Sequence, residues 1–157
     1  MAIIGGSVPP PNRAALLSFL RANRYAVEAS QSPATGIQAA VVGIAVLDTF
    51  EIVFDTLSTS RKAKNLEQDP RIALVIGGVH GEEQSVQYEG VADRPKGAEL
   101  LELQEHYFRV FPDGRDRLTW PGLIHLRARP QWLRYSDFSV NPPLIVEMTA
   151  EELAALE

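Results

Sequence analysis

Residues 54–74 read FDTLSTSRKAKNLEQDPRIAL, and this stretch decides how the rest of the chain is organised. Ser60 before Arg61-Lys62-Ala63, with Pro70 downstream, predicts a short helix over 60–68. A serine hydroxyl takes up a free amide of the first turn, and a proline cannot continue the helix. Arg71 to Gly78 is then an apolar run of strand length. Arg61 and Lys62 stand where unpaired amides and the positive dipole end already disfavour cations. The conflict disappears if a phosphate sits there, held by the amides, the two cationic side chains and hydroxyls from Thr56, Thr59 or Ser60. Ordinary solvated charge, paired with Glu67 or Asp69, is the alternative, and the local pattern leaves both open.

Upstream, Asn12 caps a helix in which Ala15, Leu16, Phe19 and Leu20 recur at helical spacing. YAVEAS over 25–30 alternates as a strand, and 37–47 with 50–54 reads as two strands joined by a hairpin. Downstream, Gln84 to Ala92 is strand-like, and 96–111 is a helix placing Leu100, Leu103, Tyr107 and Phe111 on one face before Pro112. Residues 123–135 read as a strand in which Pro130 demands an edge or a bulge. A last strand over 144–148 leads into Thr149-x-x-Glu152, a capping box. Strands separated by hairpin gaps or one helix, without steady βα repetition, predict a small antiparallel barrel or curled sheet with helices at its openings. The fold expected is mostly β with short helices, as one domain over 1–157.

With 157 residues and 45% hydrophobic content, one core is large enough to stand without staples. The absence of cysteine excludes disulfides, thiolate metal sites and cysteine nucleophiles. A formal charge of −5 gives no global attraction to nucleic acid or anionic lipid. The opening MAIIGGSVPPPN has neither a basic region nor a long apolar run, so the cytoplasm is the expected location and no membrane partner is expected. His80, His106 and His125 are not spaced as metal ligands, and no nucleophile elbow, phosphate-binding P-loop or dinucleotide fingerprint occurs. A second cluster, Arg127, Arg129, Trp132, Arg134 and Tyr135, lies on the predicted strand, where 127 and 129 share one face and 132 and 134 share another. Trp132 could stack on a planar ring and Arg134 meet a phosphate; a tryptophan covering the core with arginines in solvent is the alternative.

The segment from Thr56 through Ser60-Arg61-Lys62 and Asn65-Leu66 to Asp69-Pro70-Arg71 resembles the signature of the pyridoxamine 5'-phosphate oxidase-like split-barrel FMN-binding family. The likeness is tight over these residues and loose from the first helix to the strand at 86–92. It implies a six- to seven-stranded antiparallel split β-barrel and a homodimer with FMN at the subunit interface. It further implies phosphate contacts from Arg61 and Lys62, with Thr56 and Ser60 beside them. Gln84 falls where such proteins place a glutamine reaching the flavin, and Trp132 and Arg134 match loosely a C-terminal contact from the partner chain. The chain departs from the true oxidases in two places. Residues 39–45 carry neither the arginine nor the lysine of that strand, and the C-terminal arginine–histidine substrate segment is missing, which disfavours pyridoxine and pyridoxamine phosphates as substrates. The function implied is an FMN-dependent oxidoreductase acting on an unassigned small molecule. A non-catalytic FMN-binding or storage protein is the alternative, as is a reductase using the deazaflavin F420 on the same fold.

Overall fold

The computed structural model describes residues 1–78, 81 and 83–157. Nine strands, β1 (Ala2–Ile4), β2 (Tyr25–Ser32), β3 (Gly36–Gly43), β4 (Ala45–Val46), β5 (Ile52–Leu57), β6 (Arg71–Gly77), β7 (Gln84–Asp93), β8 (Leu123–Asp137) and β9 (Leu144–Thr149), form one antiparallel sheet. Among the described residues five helices, α1 (Arg13–Ala22), α2 (Arg61–Gln68), α3 (Gly97–Val110), α4 (Gly114–Arg117) and α5 (Ala150–Ala154), complete the fold. None of them is long and apolar enough to cross a membrane.

The closed barrel of six or seven strands is corrected. The sheet follows the open order β1-β9-β8-β7-β6-β2-β3, with β5 attached to β8 and β4 to β5 off that path. Closure would require a ladder between β3 and β5, but the chain leaves its β2 pairing at Gly43 and gives β5 only Ala45 and Val46. The turn from Leu47 to Glu51 intervenes at once, with Phe50 held at a φ of 63°. The strand count rises because the expected strand over 37–47 divides into β3 and β4, and because the Gly/Pro-rich opening supplies β1, which pairs with β9 through Ala2↔Glu147 to Ile4↔Ile145.

Long strands serve two partners each. β8 pairs β5 over Leu123–Ala128 and β9 over Trp132–Asp137, with β7 alongside from Arg127 to Asp137. Pro130 sits at a bulge within this central strand: Glu89 faces Trp132 while Gly90 faces Pro130, leaving Gln131 as the extra residue. The bend brings the Arg129 carbonyl so close that a Cβ at Gly90 would collide with it.

The predicted caps form. Asn12 Oδ1 accepts from the Ala15 amide at 2.9 Å and Ser60 Oγ from the Ala63 amide at 3.1 Å. Thr149 and Glu152 make the reciprocal box. The main core gathers Leu16 and Leu20 of α1 with Ile52, Phe54, Leu74, Ile76, Val86, Tyr88, Leu133 and Val146. A second cluster puts Leu103, Tyr107, Phe108 and Phe111 of the α3 segment on Ala45 and Val53.

One face of the sheet reverses the usual polarity. On β2, Glu28, Ser30 and Ser32 point inward and are buried, while Tyr25 and Val27 point out. β3 continues the pattern, with Ile37 80% and Val41 69% exposed. Cross-strand registers align these residues into rows, Val41–Val27–Val75 beside Ala39–Ala29–Ala73. Ala29 and Ala73 of the second row floor a shallow trough of about 270 Å³ whose rim includes Ile37, Arg71, Glu89 and Gln131.

Candidate functional site

β5 runs out at Leu57, and the turn into α2 is pinned by Ser60 N–H donating to the Leu57 carbonyl at 2.9 Å. Ser58 N–H donates to the Gly122 carbonyl at 2.7 Å, which ties this turn to the chain entering β8. Thr56 Oγ1 and Ser60 Oγ lie 3.0 Å apart. Ser60 occupies the Ala63 amide with its side chain, and its carbonyl accepts from Lys64. Among the described residues the amides of Arg61 and Lys62 have no acceptor, so two N–H groups and two hydroxyls converge at one helix end. That is the donor set a phosphate or carboxylate requires.

The two cations are held differently. Arg61 Nη2 donates to the backbone carbonyl of Thr35, anchoring α2 to the β2–β3 turn while leaving the rest of its fork in solvent. Lys62 is half-buried and lies near enough to Glu28 to favour that carboxylate's charged form. Burial is the larger effect, and it raises the Glu28 pKa above the ordinary carboxylate value. Under α2, Asn65 is buried and donates from Nδ2 to Ser30 Oγ at 3.4 Å, accepts from Thr35 Oγ1, and Ser32 Oγ lies 2.7 Å from Thr35 Oγ1.

The remaining expected residues do not join this point within one chain. Gln84 starts β7, whereas α2 lies toward the other end, where Val91 pairs with Arg71. Seven residues of strand separate Gln84 from Val91, roughly 23 Å at the usual strand rise. Gln84 Nε2 donates instead to Asp137 Oδ2 at 2.9 Å. Burial opposes ionisation of Asp137, but donors from Ser139, Gln84 and Tyr135 hold its pKa below the ordinary value. Trp132 and Arg134 stand on the outer face opposite Glu89 and Gln87. Arg134 Nη1 is 3.7 Å from Glu147, and its buried Nε has no hydrogen-bond partner among the described residues.

Arg127 is buried and donates to Asp93 at 2.6 and 2.9 Å and to Glu99 at 2.7 Å, so it locks β8 to β7 and α3. Arg129 reaches the same Asp93 at 3.1 Å. Tyr135 is a core residue whose hydroxyl meets Asp137 at 3.4 Å. His125 is enclosed by the Tyr107 and Phe108 rings, with Nδ1 3.3 Å from Gln104 and Nε2 unpartnered. Burial, with a smaller contribution from Arg117, outweighs Asp55 and lowers its pKa. His106 is half-buried on α3, and His80 lies outside the described residues. No group of three or more metal-ligating side chains occurs among the described residues.

Sequence reasoning missed Glu28 and Thr35 and named Asn65 only within the signature. For Glu28 the signal was parity: in YAVEAS it shares its face with Ala26 and Ser30, and only the burial of that face singles it out.

A family model described as "Pyridoxamine 5'-phosphate oxidase" matches residues 13–135. The comparison with curated proteins returned no match. Among solved structures, a heme binding protein from Mycobacterium smegmatis superposes with a TM-score of 0.78 at 20% identity, over 96% of this chain. The chain spans 63% of that protein's length. A pyridoxamine 5'-phosphate oxidase-related, FMN binding protein from Nostoc punctiforme superposes with a TM-score of 0.64 at 15% identity, over 91% of this chain and 97% of that one. HutZ, the heme storage protein from Vibrio cholerae, gives 0.63 at 14% identity over 73% and 87%.

Proposed function

The chain belongs to the pyridoxamine 5'-phosphate oxidase family, and on that premise we propose that it is a non-catalytic binding protein for a planar cofactor with an anionic arm, FMN being the ligand that the start of α2 fits. The observation that carries this is the convergence of the Thr56 and Ser60 hydroxyls with the Arg61 and Lys62 amides. These groups grip an anion and offer no acid–base pair to a reacting centre. Thr56, Ser60, Arg61 and Lys62 would hold the phosphate; bound FMN supplies electron-transfer chemistry.

The assembly proposed is a homodimer through the outer face of β3, β2 and β6. Tyr25, Val27, Ile37, Val41 and Val75 form a contiguous exposed apolar surface there, larger than scattered residues on a monomer require. Arg71 and Glu89 on the trough rim supply both charge signs for a two-fold copy. Gln84 is too far from α2 in its own chain, so a partner's copy would have to reach a ring bound there, and Trp132 and Arg134 would join it from the outer face.

The fold likeness to the mycobacterial heme binding protein supports haem as a second ligand for the same apolar seam. His125 is an unsuitable iron ligand, because the α3 aromatics enclose it. Anaerobic stopped-flow mixing of FMN-loaded protein with NADH and NADPH tests the non-catalytic reading. Bleaching near 450 nm should be no faster than for free FMN, and faster bleaching would restore the oxidoreductase.

A further inference from the structure

α2 packs on β2, and its other flank stands off the end of β7 and the start of β8. The gap is a cavity of about 160 Å³. One wall is Ala63 and Leu66, which share a helix face at i and i+3; the other is Ile124 and Leu126, which alternate onto one face of β8. Ala92 joins the lining, and its N–H donates to the Pro70 carbonyl at 2.7 Å, which fixes the end of β7 against the turn after α2. All five side chains are buried and apolar, so they offer water no partner. A dry cavity of about 150 Å³ takes benzene, so this one has room for a phenyl ring or a branched alkyl chain.

The rest of the lining is charged. Asp93 is engaged by Arg127 and Arg129. Glu67 and Arg94 are exposed, and neither side chain has a hydrogen bond or ion pair among the described residues, not even with the other. An unengaged carboxylate and an unengaged guanidinium therefore border one apolar cavity. Each alone is an ordinary solvated charge; together with the cavity they match a small molecule that carries an ammonium, a carboxylate and a short apolar body on one carbon. We propose that this cavity binds an α-amino acid with an apolar side chain. The side chain enters between α2 and β8, the carboxylate takes the planar fork of Arg94, and the ammonium meets Glu67. None of the donors at the start of α2 takes part, so the inference stands or falls without the anion-site reading.

Methyl NMR of the full chain titrated with L-phenylalanine tests this, because an entering ring shifts the methyls it faces. Those of Leu66, Ile124 and Leu126 should move and saturate. Ala63→Leu fills the cavity and should abolish the shifts, with folding checked by circular dichroism. Arg94→Gln and Glu67→Gln change exposed side chains, so the fold is kept, and each should weaken binding about threefold to tenfold, the span of partly exposed charge-assisted contacts. 3-Phenylpropionate, which lacks the ammonium, and 2-phenylethylamine, which lacks the carboxylate, should both bind more weakly than L-phenylalanine. Pocket methyls unmoved by L-phenylalanine up to its solubility, or moved equally in Ala63→Leu, overturn the site. Equal binding of the two truncated compounds, or of both charge variants, overturns the assignment to an amino acid.

Discussion

The hydroxyls of Thr56 and Ser60 lie 3.0 Å apart across the turn between β5 and α2, within hydrogen-bond distance of each other. Ser60 also caps α2 through the Ala63 amide. Ser60→Ala should therefore lower stability by about 1 kcal/mol, measured by urea unfolding, as well as weaken anion binding. Thr56→Val keeps the cap, so it should leave the unfolding midpoint nearly unchanged and still reduce FMN affinity. Equal stability losses in the two variants would contradict the division of labour.

The outer face gives a prediction about assembly. Replacing Val41 by Arg puts a charge in the row Val41–Val27–Val75, whose apolar surface is exposed. Sedimentation at tens of micromolar should find a dimer for wild type and a monomer for the variant, with the far-ultraviolet spectrum unchanged. A wild-type monomer would remove the interface.

Burial sets the pH dependence contributed by Glu28. Its folded pKa is raised above 4.5 by desolvation, with Ser30 and Lys62 opposing. The folded state thus holds this proton more tightly than the unfolded chain, and the group favours folding most below the unfolded value. Its contribution is lost as pH rises through the folded pKa. Glu28→Gln should flatten the stability curve across that window and stabilise the protein at neutral pH, as thermal unfolding in a pH series would record. A wild-type curve that rises with pH in that window and is unchanged by Glu28→Gln would contradict the assignment.

Arg127 organises a different region. With its head buried between Asp93 and Glu99, Arg127→Met should cost about 1.5–3 kcal/mol, the scale of hydrogen bonds to charged groups. The partners' partial exposure keeps the loss from growing further. Chemical denaturation measures it, and FMN affinity should not change, because none of the groups Arg127 bonds is a donor of the Ser60 turn.

Local chemistry was legible wherever it rests on neighbouring residues. The Ser60 and Asn12 caps, the Thr149 box and the bulge at Pro130 all follow from side chains or rings acting within a few positions. Strand partners were less legible, since β8 divides between β5 and β9 and nothing in its sequence marks the change. Closure was not legible either, because β4 is too short to carry β3 onto β5 and nothing in the sequence over 37–47 marks where that strand breaks. Parity on β2 left its faces unassigned for a physical reason: alternation alone does not say whether Tyr25 and Val27 or Glu28 and Ser30 point inward, and the space under α2 takes the polar face. For the site, the anion-binding turn was readable from Ser60-Arg61-Lys62, while Glu28 depended on a long-range contact.

The most direct measurement of the central claim is a fluorescence titration of FMN against wild type and Arg61→Ala/Lys62→Ala at matched salt, with folding verified by circular dichroism. Wild type should saturate at one FMN per chain. The double variant should bind at least tenfold more weakly, since one charge-assisted hydrogen bond contributes about 1.5–3 kcal/mol and 1.4 kcal/mol is a factor of ten. An identical Kd for the two proteins, or no saturation of the wild type, would contradict an anion site at the start of α2.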